Sequence, residues 1–359
     1  MTWSSVNTRA WTDHRLMSVL FELTYACNLD CEFCYNDVSM GGEPMTFAEY
    51  SAVLEELADM GVLNVTFSGG EPLANKDFFA IAGRARELGF VIRIKSNGHA
   101  LRGAVAKRLR EEVDPYIVEV SLHGSSAAVH DKQTRVPGSF DRLLSNLREL
   151  RALGIRLKVN STLTRYNEHE LEGIFAICDE LGAQIQVDPE VKPRDDGDRT
   201  PIDLMASPAA KARLSSLIRA RGAAKRANPD AVVAPPVDIR ASAEARRAQT
   251  AGNDKHCAAG SAHLTVDPMG GVLPCVQWRV TVGNVRQGLR AIFEHNSQLA
   301  EVRETTRAVK RMVDAHGDAG QMMNFCPGAA HVYSGDPLAL YAPAIERLTV
   351  AKRYFLPVV

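Results

Sequence analysis

Three closely spaced cysteines carry the first chemical signal: Cys27-x3-Cys31-x2-Cys34, directly after the apolar run 16–24. Thiolates three and four residues apart can converge on one metal centre, and soft sulfur ligands select zinc, copper(I) or iron–sulfur clusters. A structural zinc site takes four protein ligands. Three cysteines on a 4Fe–4S cluster instead leave one iron open to a small molecule. A second, dispersed trio follows at Cys257, Cys275 and Cys326, and suggests a second metal site. The seventh cysteine, Cys178, shares a helical stripe with Leu171, Ile174, Phe175 and Leu181 and reads as a small core hydrophobe. The competing reading of Cys178 is a thiol that gives hydrogen to a substrate radical.

The text around the first trio alternates strand-like and helix-like segments. LMSVLFELT (16–24) reads as a strand and MTFAEYSAVLEELADMG (45–61) as a helix, with Thr46 as N-cap and Gly61 as its stop. Strands follow at 63–67, 91–96, 116–122, 155–163 and 183–189. Helices are expected at 76–89, near 102–112, at 139–154 and at 170–182. About six β–α units in succession predict a parallel sheet with crossover helices: an α/β fold, a full or partial barrel. Chemistry in such barrels gathers at the C-terminal strand ends. The polar motifs fall there: SGGEP (68–72) after the second strand, Ser96-Asn97-Gly98 after the third, Ser121-Leu122-His123 after the fourth, Asn160 and Thr162 on the fifth, Asp188 on the sixth. Paired glycines allow close backbone approach, and Glu71 adds a carboxylate.

Cys-x3-Cys-x-aromatic-Cys, with Phe33 as the aromatic and GGEP one strand later, resembles the radical S-adenosylmethionine (SAM) superfamily. The resemblance implies a partial (β/α)6 TIM barrel whose cluster, on Cys27, Cys31 and Cys34, chelates SAM and cleaves it to a 5′-deoxyadenosyl radical. It assigns Gly69, Gly70 and Glu71 to the methionine amino group and Ser121 to the carboxylate or ribose. Asn97 and Asp188 are placed as further cofactor contacts. Arg135 would either pair with the methionine carboxylate or be a surface arginine in its loop. Cys257-x12-Gly270-x4-Cys275, closed by NFCPG around Cys326, resembles a shortened SPASM or twitch domain with one auxiliary 4Fe–4S cluster. Where related domains end in Cys-x2-Cys, this chain has Met323. The fourth iron is therefore left to His263, His331, Met323 or an open position, and zinc remains the alternative at this site.

The expected layout is an extension at 1–15, the barrel at 16–225, a linker at 226–253, the auxiliary domain at 254–335 and a closing helix and tail at 336–359. A formal charge of −1 over 359 residues gives no bulk case for nucleic acid or an anionic membrane. No signal peptide or spanning segment is read, and an odd cysteine count argues against a disulfide framework, so a cytoplasmic enzyme is expected. The barrel and auxiliary domain together resemble maturases of ribosomally made peptides. That implies hydrogen abstraction from a precursor peptide, giving a thioether or carbon–carbon crosslink or an epimerised residue. The implied partners are that peptide, a reductant such as flavodoxin or ferredoxin, and a separate leader-recognition protein, fifteen N-terminal residues being too few for an attached one. One rival reading is a radical enzyme that oxidises or epimerises a small-molecule alcohol or aminocyclitol. Another is a non-catalytic iron–sulfur or zinc protein.

Overall fold

The computed structural model describes residues 3–36, 41–227 and 252–355. They form two compact units, one from segments 21–54 and 64–227, the other from segments 3–20, 55–63 and 252–355. The linker expected at 226–253 lies almost wholly outside the described residues. Among the described residues no helix is long and apolar enough to cross a membrane.

The first unit alternates as the sequence predicts. Its strands are the end of β1 (Ser18–Glu22), whose first three residues belong to the other unit, then β2 (Asn64–Ser68), β3 (Val91–Ser96), β4 (Ile117–Ser121), β5 (Leu157–Thr162) and β6 (Gln184–Asp188). They lie in the order β6-β5-β4-β3-β2-β1, and the pairs from β2 to β6 are all parallel. Strands adjacent in sequence are adjacent in the sheet, the outcome of repeated right-handed crossovers. Because β6 is not hydrogen-bonded back to β1, the barrel is partial.

Each strand turns β-branched and aromatic residues to one face. Val65, Phe67, Ile92, Ile94, Val118, Val120, Leu157 and Val159 are all buried. Phe21, Phe67 and Phe78 continue this core as a chain of tilted and edge-on rings about 6 Å apart. The crossover helices are α2 (Phe47–Asp59), α3 (Phe78–Glu87), α4 (Gly103–Arg108), α5 (Ala127–Thr134), α6 (Ser139–Ala152) and α7 (Leu171–Glu180), and α8 (Pro208–Ala227) follows β6.

Three departures from the expected elements are local. The helix expected near 102–112 is α-helical only to Arg108. It then widens into a π turn over Leu109–Val113 that ends on Asp114 in the left-handed region. The eight-residue α5 precedes Arg135 in a stretch to which the sequence pattern assigns no element. The closing helix runs Ala342–Phe355 rather than from about 337.

The start of α2 matches its reading in detail. Thr46 Oγ1 accepts from Glu49 N at 3.3 Å and Glu49 Oε2 accepts from Thr46 N at 2.7 Å, a reciprocal capping box. Thr46→Ala is expected to cost about 1 kcal/mol, measured as a shift of the urea midpoint at unchanged slope.

In the second unit, α1 (Trp3–Thr12) places Ala10 against Met17 and Ala262. A hairpin of β7 (His263–Val266) and β8 (Gly271–Leu273) turns at Gly270, whose φ is +84°, and β9 (Gly283–Asn284) adds a third antiparallel strand. Helices α9 (Leu289–His295), α10 (Ser297–Ala315), α11 (Gly317–Met322), α12 (Pro327–Ser334) and α13 (Ala342–Phe355) complete it. The Glu56 carboxylate accepts from Leu289 N and Arg290 N, both at 2.9 Å, and so satisfies the first amides of α9. Buried Arg303 donates to the carbonyls of Gly260 and Phe293, each at 2.7 Å. These bonds tie the loop after Cys257 to the helices.

Candidate active site

Cys27, Cys31 and Cys34 sit in the loop that leaves β1, and three strand ends hold that loop. After β2, Gly70 N donates to Thr24 O at 2.8 Å and Glu71 N to Ala26 O at 2.9 Å, while Asn36 Nδ2 donates to Gly69 O at 3.1 Å. The two chains run so close that a Cβ on Gly69 would lie 2.3 Å from Thr24 O. One on Gly70 would lie 2.5 Å from Tyr25 O. After β3, Asn97 Nδ2 donates to Asn28 Oδ1 at 2.6 Å and approaches Cys27 Sγ at 3.7 Å. After β4, the His123 ring meets Phe33 edge-on with centroids 4.5 Å apart. Asp30 N and Glu32 N also donate to Thr134 O and Gln133 O at the end of α5.

Burial pushes the Cys31 thiol well above its usual range, and the charges of Cys34 and Cys27 push it further; burial likewise raises Cys27 and Cys34. Three thiols that oppose one another's ionisation favour a cationic group among them. Three soft thiolate donors from one loop, close enough to act on one another's charge, fit an iron–sulfur cluster.

Glu71 is buried at the centre of the cradle. Its carboxylate accepts from Ser96 Oγ at 3.0 Å, Asn97 N at 2.8 Å and Leu73 N at 3.1 Å. Burial raises its pKa against these donors. The bonds lock the turn after β3 to GGEP, a role for Ser96 that the sequence does not show. His123 is also more than a strand-end residue. Burial, with His130 beside it, lowers its pKa to about 3, so it is a neutral ring against Phe33. Its carbonyl accepts from Asn167 at 3.1 Å and from Gln133.

Other expected site residues are more dispersed. Ser121 ends β4, partly exposed. Asp188 accepts from Glu190 N at 3.0 Å and lies 3.7 Å from Lys192. Arg135, half exposed with φ +57°, faces Asp30 at 3.4 Å and Glu32 at 3.9 Å within the cysteine loop. Cys178 is fully buried in α7, which raises its thiol to about 12.

The second trio lies in the second unit. Cys257 and Cys275 pack beside Ala259 and Trp278, and Cys326 caps α12 by accepting from Ala329 N at 3.4 Å. Burial raises Cys257 to about 12, and Cys275 and Cys326 add to it through their charge. The three thiols thus share one locality, as a cluster would need. Of the candidates for a fourth ligand, Met323 is fully buried among Val309, Phe325 and Tyr341. His263 Nδ1 lies 3.0 Å from Ser18 Oγ. His331 Nδ1, five residues after Cys326, is buried with no hydrogen-bond partner.

The sheet face opposite the apolar core carries a charged row that the sequence pattern does not single out. Register places Lys95, Glu119 and Lys158 side by side across β3, β4 and β5. Burial opposes ionisation of Glu119, but Lys95, Arg93, Asn160 and Lys158 together hold it at about 2. Its contribution to stability is therefore fully present above the ordinary carboxylate range and is lost as pH falls toward 2. Glu119→Gln is expected to destabilise by about 2 kcal/mol at pH 7, a figure discounted because Arg93 and Lys95 stay partly in water. Urea melts at pH 7 and pH 3 should show that penalty at least halved at the lower pH.

A partial barrel with a three-cysteine loop locked to a buried carboxylate defines a class: iron–sulfur enzymes that keep one iron open for a cofactor. Residues 21–177 match the Radical SAM superfamily, and residues 257–316 match the iron–sulfur cluster-binding domain called SPASM. Residues 21–177 thus carry a Radical SAM domain and residues 257–316 a SPASM domain. Its cofactors are SAM, the cluster of the barrel and the auxiliary cluster of that domain.

The chain is similar to an AdoMet-dependent heme synthase of Methanosarcina barkeri, with 27% identity over 90% of this chain and 96% of that one. It is also similar to a PqqA peptide cyclase of Xanthomonas campestris, with 28% identity over 91% and 88%. Other curated relatives, 29–35% identical, match over 46% of this chain and less than half of their own length. Among solved structures, SuiB of Streptococcus suis bound to precursor peptide SuiA shares the fold, with a TM-score of 0.65, 15% identity, and coverage of 83% of this chain and 70% of that one.

Proposed function

We propose that this radical SAM enzyme modifies a ribosomally made precursor peptide by hydrogen abstraction, leaving a thioether or carbon–carbon crosslink or an epimerised residue. The observation that carries the reading is the near full-length similarity to a PqqA peptide cyclase, over 91% of this chain and 88% of that one. Bound SAM and its cluster would supply a 5′-deoxyadenosyl radical. The chain's own work is positional. Cys27, Cys31 and Cys34 would hold the cluster. Gly69 and Gly70 let the cysteine loop approach GGEP, and Glu71, kept in place by Ser96 and Asn97, is the group assigned to the methionine amino end. Phe33 and His123 pack edge to face on the β4 side, where the two rings would help to keep water from the reacting atoms. Cys257, Cys275 and Cys326 would hold the auxiliary cluster, with His331, whose Nδ1 is unpartnered, as the proposed fourth ligand. A flavodoxin- or ferredoxin-type reductant, a separate leader-recognition protein and a cytoplasmic location complete the proposal.

The similarity to a heme synthase supports a second reading, a small-molecule substrate in the same barrel. Co-expression with candidate precursor peptides, followed by mass spectrometry, separates the two. A loss of two mass units marks a crosslink, and one solvent deuterium marks epimerisation. If no peptide changes while the reconstituted, reduced protein still forms 5′-deoxyadenosine, the peptide reading is overturned. If it forms none, both readings are.

A further inference from the structure

Strands in the middle of a parallel sheet are normally covered on both faces and read as continuous apolar runs. Here β3, β4 and β5 do not. The face opposite the core presents Arg93 and Lys95 from β3, Glu119 and Ser121 from β4, and Lys158 and Asn160 from β5. Side-chain exposure is 44% at Lys95 and 36% at Arg93, although both belong to a strand flanked on either side. An exposed lysine at that position requires an open space over the sheet. Ser121 pairs with Asn160 one layer nearer the cysteine loop, so the charged row lies two residues, about 6.6 Å, deeper along the strands.

The row is unbalanced. Glu119 accepts from Arg93 Nε at 3.1 Å and Asn160 Nδ2 at 3.1 Å, and has Lys158 Nζ at 3.2 Å and Lys95 Nζ at 3.8 Å. Both of its oxygens are engaged. Three cations surround that single carboxylate, and each lysine ammonium has three N–H donors. Hydrogen-bond donors and positive charge thus exceed what this one carboxylate takes up.

We propose that Lys95, Lys158 and Arg93 form a subsite for a carboxylate of the substrate, Glu119 offsetting part of their charge. On the peptide reading of the function, on which this step rests, that carboxylate is an aspartate or glutamate side chain near the modified residue.

The test uses the anaerobically reconstituted full chain with SAM bound and no reductant. The probe is a blocked peptide of alternating glycine and glutamate, set against its glycine–glutamine counterpart, with calorimetry as the readout. The glutamate peptide should bind at least about tenfold tighter, the scale of two or more charge-assisted contacts. Lys95→Met combined with Lys158→Met should erase that preference and leave SAM affinity within about twofold. Glu119→Gln, which raises the local positive charge, should tighten the glutamate peptide about threefold; a purely structural role would weaken it. Equal binding of the two peptides, or a preference that survives the double variant, would overturn the subsite. A parallel loss of SAM affinity would also overturn it, because the lysines would then serve the methionine carboxylate. Free glutarate competing as strongly as the peptide would keep the anion subsite and overturn the peptide reading instead.

Discussion

Alanine in place of Cys31 is expected to cut the iron content of reconstituted protein by half, from about eight atoms per chain to about four. SAM cleavage should fall by at least about a thousandfold, equivalent to about 4 kcal/mol added to the barrier. Cys31 is the most constrained of the three thiols. It lies between Cys27 and Cys34, its carbonyl accepts from Cys34 N at 3.0 Å, and the amides on either side of it donate to the end of α5. No nearby cysteine can replace it, since Cys178 is fully buried in α7. The apoprotein should stay folded and lose no more than about 1 kcal/mol from the packing of one small side chain, because burial keeps the Cys31 thiol neutral in the bare fold and its removal leaves no charge unpaired. That separates loss of a ligand from loss of the fold. Cys178→Ala is the control: a cost of about 1 kcal/mol or more from lost packing, with iron content and SAM cleavage unchanged. A Cys31→Ala protein that retains full iron and cleavage would sink the assignment of the first cluster.

The parts of this site that the sequence reveals are those set by short spacing. The cysteine trio, GGEP and the turn glycine Gly270 are local patterns, and the alternation of periods two and 3.6 is enough to identify the partial barrel. What the sequence hides depends on register or on a long return of the chain. The approach of the Phe33 ring to His123 requires knowing that the β1 and β4 ends meet around the same loop. The row of Lys95, Glu119 and Lys158 looks like three unrelated charges until β3, β4 and β5 are aligned residue by residue. α5 escapes the pattern because the short segment SSAAVHDKQT gives no clear apolar stripe. Its value to the site is two terminal carbonyls, at Gln133 and Thr134, and backbone groups leave no trace in side-chain pattern. Arg135 is visible as a charge, whereas its pairing with Asp30 and Glu32, some hundred residues earlier, is not.

Gly69→Ala and Gly70→Ala are expected to be the most damaging substitutions that leave every candidate ligand in place. The pair reads from sequence as room for a ligand, but the backbone that first occupies this room is the chain's own cysteine loop. At Gly69 two costs add. Its φ of +128° is a conformation that L side chains rarely adopt, and its Cβ would lie 2.3 Å from Thr24 O. At Gly70 the steric cost stands alone, with Tyr25 O at 2.5 Å and Ala26 O at 2.6 Å, and all these neighbours are backbone that cannot rotate aside. Relief requires the loop to move outward, which breaks the bonds from Gly70 N to Thr24 O and from Glu71 N to Ala26 O. Each variant should therefore lose about 3 kcal/mol of stability. Each should also fail to retain the first cluster while retaining the second, a split readable by spin quantitation of the two clusters. Gly83→Ala supplies the opposite sign. Gly83 lies inside α3, and a Cβ there would meet no atom within 4 Å, so alanine should stabilise by about 0.5–1 kcal/mol through helix propensity alone. A Gly70→Ala protein that binds the first cluster at full occupancy would show that the contact between GGEP and the cysteine loop is incidental. The geometry argues the reverse: the glycines first of all let the cysteine loop close against GGEP.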